Sequence, residues 1–149
     1  MHGIMPGVPS PARQLGLAGL IPFVVLSAAS WLAAPEWQLR THEALLGYGA
    51  VILSFMGAVH WGLAMSGLGD GTRAWQLGLS VVPSLLGWLA LLLPVGALAY
   101  SVLLVAFAIL CMVDTRATKA NLAPAWYPAL RVPLTTVVVI CLIAAALRA

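Results

Sequence analysis

Residues 44–66 read ALLGYGAVILSFMGAVHWGLAMS, a run with no Asp, Glu, Lys or Arg. The run shows no alternation of period two, and Ala50, Ser54, Ala58, Gly62 and Ser66 recur every four residues. On a helix that spacing draws a stripe of small side chains down one side. About 20 apolar residues, at a rise of ~1.5 Å each, cross the hydrocarbon core of a bilayer. The stretch therefore predicts a transmembrane helix. Small residues let helices approach closely in lipid, so the stripe predicts a central helix packed on its neighbours, although the same stripe would serve a dimer.

The flanking sequence repeats the pattern. Further charge-free runs cover Leu15–Ala34, Ala74–Leu93, Val95–Val113 and Val132–Leu147. The last is short, and reaches spanning length if its helix starts near Pro128 with Arg131 snorkelling back to the headgroups. Five segments cannot close a barrel, and lipid leaves an open backbone unsatisfied. The expected fold class is all-α: a polytopic membrane protein, a bundle of five transmembrane helices. Composition agrees, with 62% of the 149 residues hydrophobic and 7% charged, against about 25% charged in a soluble domain. Disorder needs the opposite composition. Residues 1–13, with Pro6, Pro9 and Pro11, read as a flexible N-terminal tail, and residues 14–149 as a single five-helix transmembrane domain. The first run is longer than the apolar region of a signal peptide, so it reads as a span. Pro83 predicts a kink in the third helix.

Cytoplasmic loops are enriched in Lys and Arg. With five spans, Arg13, Arg73, Arg116, Lys119 and Arg131 share one side, against Arg40 and Arg148 on the other. The N-terminus is thus expected in the cytoplasm and the C-terminus outside. Trp61, Trp75, Trp126 and Tyr127 fall near the inner boundary, and Trp31, Trp37 and Tyr100 near the outer one. The basic residues form no cluster, which argues against nucleic acid. The expected partners are the lipid bilayer and, beyond it, a membrane protein or a second copy of the chain.

His60 is the one histidine, acid or base within a predicted span, and such a group carries a functional suspicion. It lies opposite the small stripe, on the side of Gly49, Leu53, Met56 and Gly57. The candidate polar cluster on the inner side is His60, Trp61, Ser80, Asp114, Tyr127 and Arg131. Asp114 and Arg131 would either clamp helices four and five at the boundary or line an entrance to His60. The plainer alternative is a histidine bonded to backbone or serine, with an interfacial ion pair nearby. Thr41-His42-Glu43 reads as the capped start of helix two, with Thr41 as N-cap. His42 and His60 stand about 27 Å apart along one helix, too far to sandwich a haem. Cys111 and Cys141 lie at different depths, which argues against a disulfide. No nucleophile elbow, phosphate loop, dinucleotide fingerprint or HExxH occurs. No catalytic, cofactor-binding or metal-binding residue is assigned, and no enzyme is expected.

Four strings are more distinctive: Leu17-Ala-Gly-Leu-Ile-Pro-Phe23, Tyr48-Gly-Ala-Val-Ile-Leu-Ser-Phe55, Val59-His-Trp-Gly62 and Trp126-Tyr-Pro-Ala-Leu-Arg131. Together they resemble the transmembrane protein 69-like family, a bacterial and mitochondrial membrane domain of unknown function. The resemblance highlights His60, Trp61, Tyr127 and Arg131 and supplies no activity. It implies the bacterial inner membrane, since residues 1–13 are not an Arg- and Ser-rich transit peptide. The expected function is that of a non-catalytic accessory or assembly factor in an energy-transducing membrane. The alternative is a small transporter or channel for protons or a small solute built around His60, for which the outer half offers no ionisable residue within a span. A third class, an enzyme acting on lipid or quinone, rests only on His60 and Tyr127 holding a headgroup.

Overall fold

The computed structural model describes residue 5 and residues 7–67 and 73–149. Residues 68–72 of the second loop, with Asp70, lie outside the described residues, as does residue 3. Five helices follow in order: α1 Ser10–Leu32, α2 Pro35–Met65, α3 Arg73–Leu92, α4 Ala97–Lys119 and α5 Tyr127–Ala146. Each is long and apolar enough to cross a membrane. The protein is an all-α, polytopic bundle.

Helix ends depart from the charge-free runs, because charge marks hydrocarbon depth and not where a helix stops. α1 opens on Pro9 and Pro11, whose fixed φ suits a first turn, and so begins at Ser10. Met5 and Val8 are buried against Leu130. α2 starts at Pro35, with Glu36 in its first turn near the positive helix end. Thr41 is therefore not an N-cap. It sits inside α2 and its hydroxyl donates to the Trp37 carbonyl at 2.9 Å. α4 continues past Val113 to Lys119, which places Asp114 inside the helix. It closes where Asn121 takes φ 57°. There the Leu122 amide donates to Ala117 and the Asn121 amide to Thr118, a left-handed cap that turns the chain back towards α5. α5 begins at Tyr127 with Pro128 in its first turn.

α2 touches α1, α3 and α4, so its central place holds. Its packing face differs from the small stripe. The buried residues are His42, Leu45, Leu46, Gly49, Ala50, Leu53, Gly57, His60 and Ala64. Ala58, Gly62 and Ser66 are exposed, and nothing would meet a Cβ at Gly62. The histidines choose the face, since an imidazole turned to lipid loses its hydrogen bonds. Close approach is made at Gly57, where a Cβ would stand 2.8 Å from Pro83 Cγ and 2.9 Å from the Ser80 carbonyl. α3 runs unbroken through Pro83. Phe23, Leu53, Leu103, Phe107 and Leu142 fill the middle of the bundle.

Candidate functional site

Asp114 is the hub of a buried polar triad. His60 Nε2 donates to its Oδ1 at 2.8 Å, and Arg131 Nε donates to its Oδ2 at 2.5 Å. His60 and Asp114 are fully enclosed, and Arg131 is 3% exposed. Three helices, α2, α4 and α5, thus meet at one carboxylate. An ionised carboxylate only accepts, so the His60 proton sits on Nε2 and faces Asp114. Arg131 does not snorkel: its Nη1 points to Met56 Sδ at 2.9 Å, one turn from His60 on α2. Pairing is what makes this burial tolerable, because an unpaired charge in the interior is costly.

The remaining members of the candidate cluster divide. Tyr127 is buried one turn before Arg131, and its hydroxyl has no hydrogen-bond partner among the described residues. Ser80 is buried on α3, but its hydroxyl donates back to the Leu77 carbonyl three residues earlier at 2.6 Å, the back-bond common to serines in helices. Trp61 is 47% exposed and faces away from the triad, on the lipid side of α2.

A second polar pair occupies the opposite end of α2. His42 is buried, and its Nδ1 lies 2.7 Å from the Tyr100 hydroxyl on α4. His42 stands between Arg40 and Glu43, outside the charge-free run of α2, and Tyr100, expected near that boundary, is fully buried in the bundle at the same level. The signal was in the spacing. Eighteen residues are five turns at 3.6 per turn, so His42 and His60 share one face. Between the two pairs stand Leu53, Leu103, Phe23 and Phe107, all buried.

Cys111 and Cys141 are both free thiols. Among the described residues no group of three His, Cys, Asp or Glu side chains is gathered to hold a metal.

A cavity of about 420 Å³ lies beside the triad, walled by α1, α2 and α5. Its walls are apolar except along α5, where Tyr127, Arg131 and Thr135 follow one another at four-residue intervals. Its rim includes Leu15 and Phe55, both exposed on the lipid-facing surface.

The family described as protein of unknown function (DUF3429) matches residues 8–147. Transmembrane protein 69 of Xenopus tropicalis is 39% identical over 140 residues, which cover 91% of this chain and 53% of that relative. The chain thus spans about half the length of the curated relative it matches. No solved structure matches it. With nearly all of its described helical bundle inside the match, the chain belongs to the DUF3429 family.

Proposed function

We propose that this integral membrane protein is non-catalytic and serves as an accessory or assembly factor in an energy-transducing membrane, the bacterial inner membrane, with its N-terminus in the cytoplasm. The observation that carries this reading is the engagement of Asp114. Both carboxylate oxygens are taken, one by His60 and one by Arg131, in the buried interior of the bundle. The groups best suited to proton chemistry are thereby committed to joining three helices. What the protein offers outward is an apolar surface studded with exposed Trp31, Trp37, Trp61, Trp75 and Trp88, suited to lipid and to other membrane helices. Purification in mild detergent, followed by mass spectrometry of co-purifying proteins, tests the role. A recurrent membrane-protein partner is expected; recovery of this chain with native lipid alone would overturn it.

The transport reading has one observation in its favour, a titratable group at each end of α2. Its difficulty is the apolar layer of Leu53, Leu103, Phe23 and Phe107 between them, which offers no hydrogen-bonding step for a proton. Liposomes bearing the wild type or His60→Ala measure this directly. Proton flux lost with His60 would establish transport, and equal or absent flux in both would remove it.

A further inference from the structure

The cavity between α1, α2 and α5 has the marks of a binding site. Three buried side chains on its α5 wall each carry a polar atom without a hydrogen-bond partner among the described residues: Tyr127 Oη, Arg131 Nη2 and Thr135 Oγ1. All three residues are more than nine-tenths buried. They succeed one another along about 12 Å of one helix face. An unpartnered buried polar atom is costly and rare in native proteins, and three along one cavity wall call for a ligand that answers them. The volume, about 420 Å³, falls in the range of small-molecule pockets.

The chemistry of the wall selects the ligand. The guanidinium N–H can only donate, while the two hydroxyls can donate or accept, so the ligand's polar end must carry an acceptor for Arg131. Arg131 is already paired with Asp114 at short range, so no uncompensated positive charge remains to balance a buried anion. A neutral acceptor fits, and a carboxylate does not. Everything else lining the cavity is apolar, and its rim at Leu15 and Phe55 opens among lipid-facing side chains. Trp126 and Tyr127, edge to face with centroids 6.0 Å apart, flank the polar end. We propose that this cavity binds the neutral carbonyl end of a membrane-resident amphiphile, either a quinone ring or a lipid ester, with the apolar chain leaving laterally into the bilayer. The site is independent of the accessory role and stands or falls by binding alone.

The test uses the full chain in nanodiscs of ether-linked phospholipid, which bring no carbonyl of their own. Trp126 lines the cavity, so a variant retaining it as the sole tryptophan reports from inside. A variant retaining only Trp61, which faces lipid, reports random collision. Decyl-benzoquinone should quench Trp126 saturably and Trp61 without saturation. Tyr127→Phe and Thr135→Val should each weaken the saturable phase roughly two- to tenfold, as loss of one hydrogen bond implies. Because neither hydroxyl has a partner in the described residues, both variants should melt no lower than the parent when empty. Val59→Phe, filling the cavity, should abolish saturation. Competition by a monoacylglycerol assigns the site to carbonyls including esters; quinone binding that resists it assigns the site to the ring. Three results would overturn the proposal: no saturable change at Trp126 in folded protein with either the quinone or the monoacylglycerol, midpoints unmoved by both hydroxyl deletions, or saturation by dodecanoate with none by either carbonyl ligand.

Discussion

Replacing Asp114 with asparagine separates the charge of the triad from its shape. The amide keeps the size and one oxygen, which can still accept from Arg131 Nε. Its NH2 then faces His60 Nε2, which becomes an acceptor once the ring proton moves to Nδ1, an atom with no partner among the described residues. Hydrogen bonding is therefore recoverable; compensation of the guanidinium is not. Arg131, 3% exposed, would hold an unpaired charge, and breaking a buried pair from one side costs about 3–5 kcal/mol. Arg131→Met in the same chain removes that charge and places a thioether beside Met56. The double variant should recover most of the loss, giving a coupling of about 2–3 kcal/mol. Unfolding of each protein in mixed micelles of increasing SDS fraction, followed by circular dichroism, reads all four corners of the cycle. Asp114→Asn that unfolds with the wild type, or a double variant as unstable as the two single losses summed, would show that the triad is not held by charge pairing.

Gly57→Leu should destabilise by about 1–3 kcal/mol through overpacking, because its Cβ already meets Pro83 and the Ser80 backbone; Gly62→Ala, facing open space, should be neutral or slightly stabilising in the same unfolding assay. Tyr100→Phe leaves buried His42 without its partner and should lower stability by about 1–3 kcal/mol; an unchanged unfolding curve would mean that the 2.7 Å contact is not a bond. Single cysteines at residues 3 and 149, in a background lacking Cys111 and Cys141, should label from opposite faces of the membrane, as five spans require. Labelling of both from one face would show an even number.

The spans were legible because hydrocarbon tolerates few charges, and each charge-free run became a helix. Their ends were not, because Pro35 and Glu36 start α2 well before its charges stop, and α4 carries Asp114 inside itself with the charge neutralised by neighbours. Depth put His60, Asp114 and Arg131 at one level, but left open whether His60 would meet the carboxylate or a backbone or serine partner. That Ser80 would turn to its own backbone, or that Trp61 would face lipid, depends on rotations about the helix axis that apolar sequences leave open. The small stripe of α2 packs closely only at Ala50, against Gly87, and turns outward from Ala58 on for the same reason. Gly49 and Gly57 thin the opposite face too, and the burial demanded by His42 and His60 outweighs a choice between two permissive surfaces.

Those two histidines also account for where the bundle is loose. Both tie α2 to α4, His42 through Tyr100 and His60 through Asp114, about 27 Å apart along the helix. A helix pinned to one neighbour at two levels can neither slide nor rotate against it, and Arg131 brings α5 to the same hub. α1 is tied in this way only towards its C-terminal end. Its polar ties are Tyr48 to the Gly19 carbonyl, Ser27 to Cys141 and Trp31 to Ala144, all in the part of α1 from Gly19 onward. Before Gly19 its contacts among the described residues are apolar, with Gly16 against Leu130 and Leu134. Apolar contact in lipid has no hydrophobic driving force behind it, because the lipid tails offer much the same packing. The seam between the first turns of α1 and the last turns of α2 is therefore easier to part than the junction of α2, α4 and α5 at Asp114. The cavity lies along that seam, with Arg131 on its far wall. The pairings that fix α2, α4 and α5 thus leave the opening on the α1 side, with Tyr127, Arg131 and Thr135 along its α5 wall.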